Sequence, residues 1–192
     1  MFSLLNFFLI VKVVSVIVAA NLPDGYTFKF VHIISNYHNT HLTVRNDLMN
    51  DELRKVKLAK LGESSRNVWR LVPDPSNAAQ FEIIHHESNE PLCAAPMEFA
   101  HDAKRRNVAT WVPGPVDKQC LWMIEKRPGN AGYRVVNMER EEQLYAAMRP
   151  YEADARLWVP RDDDNKQHHW DIIPLNYCQG HTVAINMTAT VV

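Results

Sequence analysis

The sequence predicts an all-β domain built from three similar units of four short strands, and three observations predict it. A tryptophan closes a strand at nearly regular intervals: Trp69, Trp122 and Trp170 lie 53 and 48 residues apart. An aromatic residue opens an alternating strand upstream of each one, and a leucine follows it after 12, 11 and 11 residues: Phe30 to Leu42, Phe81 to Leu92, Tyr133 to Leu144. A third short apolar run sits between each leucine and its tryptophan. A period near 50 residues denotes a unit that cannot bury its own apolar face and must stack on its copies.

The elements follow in order. Phe30 to Ile34 alternates and runs into a polar hairpin, Ser35 to His41, before Leu42. The next segment, Asp47 to Lys60, is the longest insertion; Val56 to Leu58 supplies the third strand, and the charged run fits an exposed loop. Asn67 to Pro73 closes the first unit. The second unit repeats this with Phe81 to Ile84, the hairpin His85 to Pro91, Leu92, then Thr110 to Pro113 and Leu121 to Glu125. The third has Tyr133 to Val136, the hairpin Asn137 to Gln143, Leu144, then Leu157 to Pro160 and His169 to Pro174. Recurrence in all three copies marks Trp69, Trp122 and Trp170 as core residues, each burying roughly 150 to 250 Å².

Residues 1–20 are apolar apart from Ser3, Asn6, Lys12 and Ser15 and end in Val18-Ala19-Ala20. This reads as a secretory signal peptide cut before Asn21, leaving a domain over 21–175 and a Thr- and Val-rich tail over 176–192. The expected location is extracellular, with no membrane insertion after cleavage. Asn186-Met187-Thr188 is then a glycosylation sequon, with Asn186 as acceptor. Removing Lys12 takes the formal charge from −1 to −2, a near-neutral surface with no general attraction for nucleic acid or anionic lipid. The basic run Lys104-Arg105-Arg106 and the acidic run Glu139 to Glu142 read as solvated loop faces.

Cys93, Cys120 and Cys178 allow three pairings and at most one internal disulfide. Cys93 with Cys120, both in the second unit, is the expected one. Nine histidines invite a metal reading, but His85-His86 and His168-His169 are sequence neighbours, and adjacent residues on a strand face opposite ways. His38 and His41 lack a nearby cysteine or carboxylate cluster. They read as polar hairpin residues, and neither a metal nor another cofactor is expected. No Gly-rich phosphate loop and no Cys-His catalytic setting is present, so the chain reads as non-enzymatic.

Leu92-Cys93-Ala94-Ala95, Trp111-Val112-Pro113 and Gln119-Cys120-Leu121-Trp122, with Leu144-Tyr145-Ala146-Ala147, Trp158-Val159-Pro160 and Gln167-His168-His169-Trp170, resemble the hairpin, Leu-Trp-Pro and Gln-x-Trp motifs of the ricin B-like family. The resemblance covers residues 28 to 175 and implies a β-trefoil of three pseudo-repeats. It also implies sugar sites built from a hairpin Asp, a stacking ring and an amide. The Asp position is Arg45, Ala95 and Ala147, so no unit keeps the carboxylate. Trp111 and Trp158 hold the stacking position, and Gln119 and Gln167 the amide position.

Each has a plainer role, the rings as barrel filling and the amides as partners of a nearby turn. The reading that follows is a secreted binding protein with weak recognition of a glycan or glycoprotein through Trp111 with Gln119 and Trp158 with Gln167. The alternative is a protein-binding trefoil, an inhibitor or effector acting on an extracellular protein, with no sugar site.

Overall fold

The computed structural model describes residues 30–60, 62, 64, 66–99, 102–112, 117–147, 154–158, 165–175, 177–178 and 181–182. The leader, the Ala20 cleavage point and Asn186 lie outside the described residues. The first unit's residues form β1 (Val31–Ser35), β2 (Thr40–Leu48), β3 (Leu53–Ala59) and β4 (Trp69–Asp74). Then come β5 (Asn77–His85), β6 (Leu92–Phe99), β7 (Asp102–Trp111), β8 (Leu121–Lys126) and β9 (Tyr133–Asn137). β10 (Gln143–Ala146), β11 (Ala155–Trp158), β12 (Trp170–Pro174), β13 (Tyr177–Cys178) and β14 (His181–Thr182) complete the order.

All pairings are antiparallel. Twelve strands make one sheet in the order β10-β11-β7-β3-β2-β1-β12-β9-β8-β5-β4, with β6 on β7, and β13 pairs with β14 separately. The run from β1 through β12, β9, β8 and β5 to β4 returns on itself where Val31 meets Trp69, which closes a barrel.

This corrects the expected β-trefoil of three pseudo-repeats of four short strands. The hydrogen bonding makes one closed antiparallel barrel with further strands attached, not plainly three repeats, and strand length within the large sheet runs from 4 residues in β10 to 10 in β7. The reason is backbone accounting. A four-strand unit leaves edge N–H and C=O groups unpaired, and pairing β1 with β12, β5 with β8 and β3 with β7 satisfies them across the expected boundaries. Register shifts between Val44 and Leu48 and between Ala94 and Glu98 lengthen and bend β2 and β6.

The main core cluster contains Trp69, Trp122 and Trp170, all fully buried, and a smaller one forms around Leu53, Ala95 and Ala109. A buried indole N–H needs an acceptor, and each finds the same kind. The Nε1–H groups donate to the carbonyls of Leu42 (2.9 Å), Leu92 (2.7 Å) and Leu144 (2.9 Å). The hairpins upstream also share a device. Ser35 Oγ, His85 Nδ1 and Asn137 Oδ1 accept from the N–H three residues on, of His38, Ser88 and Arg140. The next residue, Asn39, Asn89 or Glu141, takes a positive φ and donates its N–H back to the carbonyl of Ser35, His85 or Asn137.

Three further readings change. The charged part of Asp47 to Lys60 is not all loop: β3 begins at Leu53, which is buried as Val56 is. Arg106 and Glu142 are not solvated faces; Arg106 is buried in β7 and its Nε lies 3.1 Å from Glu142 Oε2. His41, read as a polar hairpin residue, is buried, and so are His85 and His168. In each case alternation or a neighbouring opposite charge turned inward a residue whose type alone reads as exposed.

Candidate binding site

One spot beneath each hairpin is built from the residue after the leucine and from the segment that ends two residues before the tryptophan. In the first hairpin Thr43 Oγ1 bonds the Arg66 carbonyl, one residue before Asn67. In the second, Cys93 and Cys120 form a disulfide. In the third, the rings of Tyr145 and His168 meet with centroids 5.5 Å apart. The same gap is thus closed by a hydrogen bond, a covalent bond or a ring contact.

The third version brings two of the expected residues together. Trp158 pairs with Gln143 across β10 and β11, and its ring lies 5.6 Å from that of Tyr145. Gln167, in the 3-10 turn Lys166–His168, donates its Nε2–H to the carbonyl of Ala146, the residue after Tyr145, at 3.1 Å. Its Oε1 accepts from Asn165 Nδ2 at 3.2 Å. The turn is held by Asn165 Oδ1, which accepts the Gln167 backbone N–H. Trp158 and Gln167 therefore flank one short stretch of β10, the ring half-buried and the amide fixed in orientation.

Two cationic or titratable neighbours complete the patch. The Arg105 guanidinium lies over the Trp158 ring, 4.8 Å from its centroid, and 5.9 Å from that of Tyr145. Such stacking contributes about 0.5 to 1 kcal/mol where exposed. Burial pushes the His168 pKa down to about 4, and the charges of His169, Arg127 and Arg134 add to this. His168 is neutral at pH 7, so its contact with Tyr145 is that of two uncharged rings. The patch combines the half-buried Trp158 ring, with the Arg105 guanidinium over it, and an amide fixed in orientation. Sequence reasoning missed Arg105, Tyr145 and His168. The position of Tyr145 directly after Leu144, where Cys93 follows Leu92, was the available signal.

The second hairpin is arranged differently. Trp111 packs half-buried against Leu53, Ala95 and Ala109, with Met49 beside them. Gln119 lies in the 3-10 turn Lys118–Cys120, and its carbonyl accepts from Asn137 Nδ2 at 2.8 Å. The disulfide ties that turn to β6. Ala95 is buried at the position expected for a ligand carboxylate, and so is Ala147 in the third hairpin, while Arg45 in the first forms an ion pair with Asp47 at 2.7 Å. Cys178 lies in β13. Among the described residues no group of three His, Cys, Asp or Glu is placed to hold a metal ion.

No family model matches the chain, and no curated protein does. Solved structures do. A salivary protein from Culex quinquefasciatus of the Cysteine and Tryptophan-Rich family is 14% identical, with a TM-score of 0.65 over 80% of this chain and 98% of that one. A Polyporus squamosus lectin, bound in its crystal to a human-type influenza-binding epitope, is 15% identical with a TM-score of 0.63, over 79% of this chain and 51% of that one. The designed threefold-symmetric protein ThreeFoil is 14% identical with a TM-score of 0.61, over 76% of this chain and 99% of that one. At such identities the likeness concerns fold alone, and no match places the chain in the ricin B-like family.

Proposed function

We infer that the protein is a secreted, non-enzymatic binding protein that recognises a glycan, weakly, through the third hairpin. The observation that carries this reading is the placing of half-buried Trp158 and the fixed amide of Gln167 on either side of Tyr145 and Ala146. An aromatic ring stacks on the apolar face of a sugar while an oriented amide selects among hydroxyls. The similar lectin and salivary structures support a binding role and an extracellular setting, as do residues 1–20. Binding is weak because the hairpin carboxylate is replaced by Ala147; a charge-assisted hydrogen bond contributes about 1.5 to 3 kcal/mol, roughly tenfold to more than a hundredfold in affinity. Trp111, packed on Leu53, Ala95 and Ala109, contributes a second and poorer face.

The test is a glycan array with the secreted chain beside Trp158→Ala and Trp111→Ala. Loss of signal at least tenfold in Trp158→Ala, with an unchanged near-ultraviolet spectrum from the buried tryptophans, is expected. Equal binding by the two variants and the parent refutes the site. A second reading, a protein-binding surface with no sugar site, is favoured by the spending of both polar atoms of the Gln167 amide on Ala146 and Asn165. It predicts a pull-down partner whose capture survives glycosidase treatment.

A further inference from the structure

The three hairpins do not meet equally. β3 meets β7 over three residue pairs, Leu53 to Lys55 against Trp111 to Ala109, and β11 meets β7 over three, Arg156 to Trp158 against Asn107 to Arg105. At the third junction, β3 to β11, the ladder among the described residues is the single bridge of Lys57 to Asp154. The first two junctions are also stapled by ion pairs of identical sequence separation, Arg54 to Glu90 and Arg106 to Glu142. Glu90 and Glu142 stand two residues before Leu92 and Leu144. The residue two before Leu42 is Thr40, whose Oγ1 has no hydrogen-bond partner among the described residues. The third seam therefore has no carboxylate at the position that Glu90 and Glu142 hold in the other two.

A cavity of about 240 Å³ lies at this seam. Val56, Val108 and Ala155, all buried, give it an apolar floor, and Met49 flanks them. Its cations are Arg45, Lys55 and Arg156, against one lining carboxylate, Asp154. Arg156 is paired with Asp154 and also bonds Asn107 Oδ1. Arg45 and Lys55 share a single carboxylate, Asp47, at 2.7 and 3.2 Å. Among the described residues, these three cations are paired with two carboxylates, Asp154 and Asp47, which leaves one positive charge in excess beside an apolar floor, and both Arg45 and Lys55 remain more than two-fifths exposed.

The geometry points to a binding site for a small organic monocarboxylate in this seam, its carboxylate between Arg45 and Lys55 and its body on Val56, Val108 and Ala155. One negative charge neutralises the excess, and a neutral molecule of the same shape leaves it standing in a partly desolvated cleft. The site is separate from the Trp158 patch, and neither depends on the other. An apolar acid and an acidic sugar share the recognised group.

The experiment is calorimetric or NMR titration of the full chain with benzoate, with benzamide as the neutral isostere and glucuronate as the sugar acid. Saturable benzoate or glucuronate binding, at least tenfold tighter than benzamide, is expected, and whichever acid binds tighter assigns the body as apolar or sugar. Arg45→Gln combined with Lys55→Gln should weaken acid binding at least tenfold. Asp47→Asn, which frees both cations, should tighten it severalfold, a gain that misfolding cannot mimic. Equal binding of benzoate and benzamide, no saturable binding of either acid, or weaker or unaltered binding in Asp47→Asn overturns the proposal.

Discussion

Lowering the pH from 7 to 4 forces a proton onto histidines that the fold holds neutral, and His85 allows the cost to be worked out. The ring is fully buried, edge-on to Trp69 with centroids 5.3 Å apart. Its Nδ1 accepts the Ser88 backbone N–H at 3.2 Å, so a proton there would set two donors against each other. Burial is the largest cause that lowers its pKa, to about 4, and the Arg66 charge adds to it; Glu87, Glu90 and an Arg66 backbone bond oppose.

An unfolded chain titrates this group near 6.5, so between pH 6.5 and 4 the unfolded state binds the extra proton. Stability is present above that window and lost as pH falls through it. The loss is about 2 kcal/mol at pH 5 and about 3 kcal/mol at pH 4. His168, also lowered to about 4, doubles it. Since domains hold about 5 to 15 kcal/mol, the two together bring the protein close to acid unfolding at pH 4.

Urea unfolding followed by tryptophan fluorescence at pH 7, 6, 5 and 4 measures this. His85→Asn is the informative variant, because Asn137 fills the same hairpin position and its Oδ1 takes the same bond from the Arg140 N–H. It should fold and show about half the parent's pH slope. A urea midpoint that stays level from pH 7 to 5, or a full slope in His85→Asn, refutes the reasoning.

Two other outcomes follow from the packing. The Cys93–Cys120 disulfide closes a loop of sequence separation 27, so the Cys93→Ala/Cys120→Ala pair should lose about 3 to 4 kcal/mol, read as a fall in Tm of roughly 10 °C. Arg54→Ala leaves the buried Glu90 carboxylate, among the described residues, with the Thr110 hydroxyl and should cost about 3 to 5 kcal/mol, whereas Arg45→Ala at the exposed Asp47 pair should leave the midpoint of the same urea assay nearly unchanged.

The elements that repeat by residue type were legible in the sequence. An indole N–H has one strong way to be buried, so Trp69, Trp122 and Trp170 keep their identity and mark the strands around them. Trp158 and Gln167 were picked out through the resemblance to the ricin B-like motifs; both lie beside Tyr145 and Ala146, and their part in binding is a proposal. The pairing of strands across the expected units was not legible, because backbone hydrogen bonds leave no side-chain signature. Nor were the buried charges. Glu90 and Arg106 look like surface residues until the register of β3 on β7 and of β7 on β11 places Arg54 beside Glu90 and Arg106 beside Glu142.

The gap beneath the hairpins shows how far such reasoning reaches. Thr43, Cys93 and Tyr145 differ in size and type, and so do Asn67, Cys120 and His168, so no shared residue type links the three places. Each pair nonetheless solves one geometric problem, joining the strand after the leucine to the segment that ends at the tryptophan. A hydrogen bond to the Arg66 carbonyl and a disulfide close it with small groups. Only the ring pair of Tyr145 and His168 builds outward, giving Trp158 and Arg105 something to pack on. That is why the candidate surface arises at the third hairpin. Two tryptophans stand at like positions, but Trp111 settles against Leu53 and Ala109 while Trp158 joins an aromatic platform. Its difference lies in what stands under the ring and not in the ring itself.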